Sequence, residues 1–592
     1  MSAVVPTRRL RSRVLGVGAV MLAIVGTIVG GGLLTRSNAA APPSSVTVSV
    51  DQADALVDGQ RIFVNVHAGS DIKLDNITVR QCKWGEAYED RVDLIYRAGK
   101  CPATAVSSSA DTEAQVTLAG ALAKAKTSDG LEIPFRVGTG TTDWPINSTT
   151  TGRITCDTTT PCALVVQFVI NSEYFFSTLK LTFAESDVFK ACGGTDPNIL
   201  QSAGSDELID TWARWTRSFC SAGLGAGAPS VGIFGGGEGP AVSGFSSGLN
   251  DIAYTAAGYD PEVALQAAGV GQRNAVYVPI ALNAAVMGTG SGRVDYVDGQ
   301  PVGKTKIDVL RLRAEDAAAF ATGGISFVSN SPTYVTSIRS LNANLGDSLY
   351  YGANPSVYAP SAALSSTWFW TKYLSVFAPD DFVVPNTDPP VARPASVSYA
   401  TAAPSYSNSL LLFTGRPTME RVADTARLDQ LSGGPIWTIM DRASAKALDL
   451  GDVAIPNGAG EYVQATDASM LAALATMKKD DQGILVPDIE GGHAAGSDVS
   501  TKAEAAYPLT YVIYAMVPAE PLYTDDCKPR AGAQKLLTDW LTYITGDGQA
   551  ELSPGLVALP DSLSSEAKAQ IAKVGAAPVT GTCAAAMRFT VM

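Results

Sequence analysis

Chemistry in this chain would have to come from oxygen atoms and backbone amides. Its 592 residues include only two histidines, His67 in a strand-like stretch and His493 in the loop Glu490-Gly491-Gly492-His493. A Ser/His/Asp triad or a multi-histidine metal centre has almost nothing to be built from. The acid pairs Asp380-Asp381 and Asp525-Asp526 fall in turn-like contexts with a proline nearby. Adjacent residues point apart on most backbones, so neither reads as an acid/base pair. What remains is a set of glycine- and serine-rich turns entering helix-like stretches: Ser202-Ala203-Gly204-Ser205-Asp206, Gly235-Gly236-Gly237-Glu238-Gly239 and Ser365-Ser366-Thr367. Such a turn leaves the first helix amides unpaired at the positive end of the dipole, and together these hold an oxyanion without a lysine. The run Gly235–Gly239 lacks the Gly-Lys-Ser/Thr ending of a nucleotide loop. Binding rather than covalent chemistry is expected, with no catalytic residue, cofactor or metal.

Two patterns must position these turns. From Ser45 to about Ala184, short alternating strands are separated by turn residues: Val46–Val50, Arg61–Val66, Ile77–Arg80, Ala163–Val169 and Leu179–Phe183. Period-two alternation predicts an antiparallel β-sandwich over 45–185. After the joint Ala191-Cys192-Gly193-Gly194-Thr195-Asp196-Pro197, helix and strand patterns alternate, which predicts an α/β body over 195–592. Leu208, Ile209, Trp212 and Trp215 recur at helical spacing within Asp206–Phe219.

The bulk properties fit a multidomain, exported chain. At 592 residues, 46% hydrophobic and 17% charged, it can bury more than one core. A net charge of −14 repels a polyanion, which excludes nucleic acid as a partner. Arg8, Arg9, Arg11 and Arg13 precede the apolar run Val14–Leu34 and the small residues Ser37–Ala41. Residues 1–41 therefore read as a signal peptide or an uncleaved membrane anchor, and the remainder as extracellular, cell-wall or membrane-anchored outside the cytoplasm. The eight cysteines, Cys82, Cys101, Cys156, Cys162, Cys192, Cys220, Cys527 and Cys583, form no CxxC and suit an oxidising compartment with disulfides. Spacing leaves the connectivity open. Local pairing of Cys82 with Cys101, Cys156 with Cys162 and Cys192 with Cys220 would leave Cys527 with Cys583, each loop closing within one folding unit.

Two resemblances sharpen this reading. Val46–Val50, Leu56-Val57-Asp58-Gly59-Gln60, Gln81-Cys82-Lys83-Trp84 and the tract from Thr155-Cys156-Asp157 to Pro161-Cys162-Ala163-Leu164 resemble the neocarzinostatin and macromomycin family of immunoglobulin-like sandwiches. That family's two short-range disulfides match Cys82 with Cys101 and Cys156 with Cys162. The body resembles the periplasmic phosphate-binding protein family. The segments that carry this likeness, in family order, are Ser202–Asp206 and its helix, Gly235–Gly239, Leu249–Thr255, the hinge-like Tyr277–Met287, Ser365–Ser375, Gly433–Trp437, Tyr507–Tyr514 and Leu536–Leu541.

The second resemblance implies a two-lobed α/β type II periplasmic binding fold, with lobe 1 at about 195–280 and 435–592 and lobe 2 at about 281–434. It implies a solute-binding protein that captures phosphate or a related small solute for an ABC transporter permease, with Gly204, Ser205, Asp206, Gly237, Glu238, Gly239, Thr255, Ser365, Ser366 and Thr367 as ligand residues. The departures fall on those positions. Asp206 stands where the family has a hydroxyl, Glu238 or Gly239 where it has a serine, Ala256 where it has an aspartate, Ser366 where it has a glycine, and Ser361 where it has an arginine. Two carboxylates would thus face the guest while the bidentate arginine is missing. The alternatives are a cleft retuned for a cationic or neutral polar solute, and a cell-surface scaffold with a degenerate cleft.

Overall fold

The computed structural model describes residues 42–184 and 200–578, except 90–93, 95–98, 108–109, 118, 129, 222–230, 235–236, 257–272, 291, 298–299, 308, 322–331, 344–355, 363, 385–390, 394, 397–409, 414–418, 421, 424–435, 481–482, 488, 490–504 and 525–526. These residues fall into two compact units, one over 42–184 and one over most of 200–578.

In the first unit, Val46–Val50, Arg61–Ala68 and Leu131–Arg136 make one antiparallel sheet, with Arg61–Ala68 in the middle. Ala114–Val116, Leu74–Lys83, Cys162–Ile170 and Glu173–Leu181 make a second sheet, in that order. Strict alternation turns Ile62, Val64 and Val66 inward, where they share one core with Ile77, Val79, Leu164, Val166 and Phe168 of the other sheet. Cys82 is bonded to Cys101 and Cys156 to Cys162. In the second unit Cys220 and Cys527 each take part in a disulfide, and the partners expected for them, Cys192 and Cys583, lie outside the described residues.

The second unit is built on a mixed sheet. Its main path runs Val231–Phe234, Leu200–Ala203, Ile252–Thr255, Thr510–Pro518, Ala275–Thr289, Ile436–Asp441, Ser356–Pro360, Leu410–Phe413. The first three strands are parallel to one another. At the far end, Ser356–Pro360 is parallel to both of its neighbours. Ala275–Thr289 joins the two parallel sets: through Ala284 it pairs antiparallel with Thr510–Pro518, and from Ala285 onward with Ile436–Asp441. Its side chains are buried from Val278 to Thr289, as a strand covered on both faces requires. The core includes Trp215, Ile280, Val357, Trp437 and Trp540. Helix Ile209–Ser221 packs Trp215 edge-on against Trp540 of helix Ala531–Thr545, and the Trp215 indole N–H donates to the Gly548 carbonyl at 2.7 Å.

A buried ion pair secures the edge of this sheet. Arg530 donates from Nη1 to Asp251 Oδ1 at 2.7 Å and from Nη2 to Oδ2 at 3.3 Å, with both side chains at most 3% exposed. Asp251 Oδ2 also accepts from the Gln201 amide at 3.0 Å, so the pair ties strand Leu200–Ala203 to the start of helix Ala531–Thr545. Removing one partner strands a charge in a dry place. Asp251→Ala is expected to lower the unfolding free energy of this unit by about 3–5 kcal/mol in denaturant titration, and Asp251→Ala with Arg530→Met to recover much of the loss. A single-variant loss below about 1 kcal/mol would mean that the pair behaves as an exposed one.

Candidate functional site

The site forms where parallel strands end and helices begin, the place at which open α/β sheets hold ligands. Strand Leu200–Ala203 runs through Gly204 to Ser205, which caps the short 3₁₀ turn Asp206–Leu208 in an extended conformation before helix Ile209–Ser221. A side chain at 204 would meet the Tyr254 Cβ at 2.9 Å, so that approach requires glycine. Strand Val231–Phe234 leads to Gly237, whose φ of 95° lies in the left-handed region, and then to helix Glu238–Ser246. From the other half of the sheet, Ser356–Pro360 leads to helix Ser365–Phe377. Strand Ile436–Asp441 ends on Asp441, which caps Arg442–Ala447 by accepting from the Ser444 amide at 2.8 Å.

These helix starts converge on carboxylates that belong to the protein. Glu238, 1% exposed, accepts from the Ser365 hydroxyl, from Thr255 Oγ1 at 3.3 Å and from the Ala256 amide at 3.4 Å. Glu207, 3% exposed, accepts from Asn283 Nδ2 at 2.6 Å and from the Tyr511 hydroxyl at 2.7 Å. Asn283 sits in the long strand just before that strand changes partner, and its Nδ2 also donates to Asp441 Oδ1 at 3.2 Å. One amide thereby bridges an acid from each half of the sheet.

Burial pushes Glu207 up to about 8, the negative charges of Asp441 and Glu238 add to the effect, and the Tyr511 bond opposes it. Burial likewise pushes Glu238 up to about 7 against the bonds from Ser365, Ala256 and Thr255. The Tyr511 hydroxyl is raised well above its ordinary value by burial and then by Glu207. Arg442, next in sequence to Asp441, turns away: Nη1 donates to the Gly555 carbonyl at 2.7 Å and Nη2 to Asp467 at 2.8 Å. The Ser205 hydroxyl bonds Glu207 and opposes its upward shift, and among the described residues the buried Thr367 Oγ1 has no hydrogen-bond partner. A buried hydroxyl in that condition costs free energy until something bonds to it.

Of the residues picked out by sequence, Glu238 bonds Thr255 and Ser365, Ser205 bonds Glu207, Gly204 packs on Tyr254, and Gly237 enters helix Glu238–Ser246 with its left-handed φ. Ser366 and Thr367 are buried in the first turn of the same helix as Ser365. Gly239 is half-buried in helix Glu238–Ser246, and Asp206 is half-buried while its neighbour Glu207 enters the cluster. Sequence reasoning passed over Asn283, Asp441 and Tyr511. Asn283 had a signal, as a lone amide within the apolar run Val276–Met287. Asp441 had another, as an acid closing an apolar strand three residues before Ser444.

No family model matches the chain, and no curated protein matches it in sequence. Among solved structures, an ABC-type phosphate transport receptor from Vibrio cholerae aligns over 61% of this chain and 99% of its own at 10% identity, with a TM-score of 0.29. PstS from Borrelia burgdorferi aligns over 61% and 99% at 10% identity, with a TM-score of 0.28. Macromomycin aligns over 24% and 99% at 17% identity, with a TM-score of 0.15. Superpositions at this level do not by themselves establish a shared fold.

The raised carboxyls set a direction for stability against pH. A group whose folded pKa exceeds its ordinary 4.5 stabilises the fold fully below that value and loses the contribution as pH rises through about 7 to 8. The unfolding free energy of the second unit is therefore expected to fall between pH 5 and pH 9, by up to ~1.4 kcal/mol per pH unit for each group, and its melting temperature to fall with it. Glu207→Gln should flatten the upper part of that fall in a calorimetric pH series, and an unchanged slope would show that Glu207 does not titrate there.

Proposed function

We propose that this chain is an extracytoplasmic solute-binding protein whose second unit seats one small guest between Ser205, Glu207, Glu238, Ser365 and Thr367. The observation that carries the reading is the meeting on Asn283 of acids from helix starts in both halves of the sheet, together with a buried Thr367 hydroxyl that has no partner among the described residues. Amides, hydroxyls and carboxyls arranged in this way hold and orient a molecule, and binding by itself needs no nucleophile or proton shuttle. The formed disulfides agree with an oxidising compartment outside the cytoplasm. Among the described residues no helix is long and apolar enough to cross a membrane, and the proposed leader or anchor, residues 1–41, lies outside them. In this reading the first unit is an immunoglobulin-like spacer or interaction module, the second has two hinged lobes, and the partner is an ABC transporter permease.

Orthophosphate is the guest that the family resemblance implies, and the local electrostatics argue against it. Glu238 already takes the Ser365 hydroxyl and the Ala256 amide, donors that a phosphate oxygen would use. A dianion entering beside Glu207, Glu238 and Asp441 would meet like charge in a low dielectric. The same occupation of the donors by Glu238 favours a second reading, a cell-surface scaffold whose cleft is filled by its own side chain. A thermal-shift panel of phosphate, sulfate, neutral polyols, divalent cations and small organic cations separates the two. At least one solute should stabilise the native state by about 2.7 kcal/mol at a hundredfold excess over its dissociation constant, with the shift lost in Thr367→Val and Ser365→Ala. No shift with any solute would remove the solute-binding reading and leave the scaffold.

A further inference from the structure

Helix Ser365–Phe377 starts without a cap of its own. Its N-cap residue is Leu364, whose side chain makes no capping bond, although the first amides of a helix have no partner within it and lie at the positive end of the dipole. The missing acceptor comes from the other half of the sheet. Glu238, 127 residues away in sequence, accepts from the Ser365 hydroxyl and from the Ser365 amide. The same carboxyl accepts from Thr255 Oγ1 and from the Ala256 amide, at the end of strand Ile252–Thr255. Four donors, two from each half of the sheet, thus hold one carboxyl that is 1% exposed, and Ser365 and Thr255 are buried as deeply. The helix start offers more than Glu238 takes, because in its first turn the buried Thr367 Oγ1 has no hydrogen-bond partner among the described residues. Amides and hydroxyls gathered in this way make a seat for an oxyanion, and here a side chain of the chain itself fills it.

We infer that Glu238 is a built-in occupant of this oxyanion seat, an autoinhibitory contact that ties the two halves of the sheet together and keeps small external carboxylates off the start of helix Ser365–Phe377. The inference rests on the second of the two readings above, a cleft filled by its own side chain, and deepens it by naming what the seat takes once that side chain leaves. Truncation of Glu238 to alanine deletes a CH2–COO⁻ fragment. Acetate restores the same heavy atoms and, charge for charge, the same field at neighbouring Glu207. The exchange requires no cavity in the native protein, because the truncation itself opens one.

The test compares the full-length protein with Glu238→Ala, Glu238→Gln and the double variant Glu238→Ala/Ser365→Ala in sodium acetate, sodium formate, acetamide and matched sodium chloride. Glu238→Ala should melt lower than the unaltered protein in chloride and recover several degrees in acetate or formate along a saturable curve, as a ligand selective for the native state requires. Acetamide, neutral and of the same shape, should recover much less. The double variant should bind acetate about tenfold more weakly, the loss of one hydrogen bond to a charged group. Glu238→Gln keeps the seat full and should not respond, nor should the unaltered protein. Refolding yield from denaturant in acetate against chloride gives the same comparison where Glu238→Ala is too unstable to melt, and no gain in either measurement would overturn the inference. Equal recovery in acetamide would overturn it too, because that is cavity filling without an anion seat. An acetate shift in the unaltered protein that Ser365→Ala abolishes would overturn both the inference and the scaffold reading. The two fail separately: a non-anionic guest that stabilises the unaltered protein removes the scaffold, while the acetate response of Glu238→Ala still decides the inference.

Discussion

One side-chain amide holds the second unit's acids together. Asn283 donates from a single nitrogen to Glu207 and Asp441, acids from opposite halves of the sheet. Its Oδ1 accepts the Ala443 amide at 3.3 Å, so every polar direction of the group is used. Carboxyls this deeply buried are tolerated only when hydrogen-bonded and at least partly neutralised. The bridge supplies the first condition and the raised proton affinity of Glu207 and Glu238 the second.

The geometry around that bridge follows from strand direction. Parallel strands deliver all their carboxyl ends to one side, and the helices that follow deliver their unpaired amides to the same side. Ala275–Thr289 lets one sheet contain two such sets, because it exchanges Thr510–Pro518 for Ile436–Asp441 midway along its length. Helix starts from both sets then face a common point. An arrangement of helix starts that ordinarily suits an external anion here receives a carboxyl supplied from within the chain, Glu238.

Much of this was legible in the residues. Alternation located Val46–Val50 and the middles of Arg61–Ala68, Leu74–Lys83 and Cys162–Ile170, because a half-buried strand must alternate, whereas the expected strand at 179–183 caught only the end of Glu173–Leu181. Leu131–Arg136 escaped notice because Pro134 interrupts its pattern, and the structure accepts that proline because the strand is at a sheet edge. The glycine turns and Ser365 were visible because helix starts and left-handed positions have narrow residue preferences, and Gly237 meets that need with its φ of 95°. Cys82–Cys101 and Cys156–Cys162 are formed; spacing alone left them open, and it was the resemblance to a family with two short-range disulfides that implied them.

By itself, then, the chain's order of residues determined the strand and helix patterns, the turns that would expose amides, the export-like composition and the presence of carboxyls where an anion seat was expected. Which carboxyl counts was decided only in three dimensions. Asp206 and Glu207 are adjacent, and a single 3₁₀ turn buries the second rather than the first. Asn283 and Asp441 are 158 residues apart, a separation across which no local periodicity carries information. Local preference operates over a few bonds, whereas burial, charge coupling and the raised proton affinity of Glu207 arise from groups that become neighbours only when the sheet is assembled.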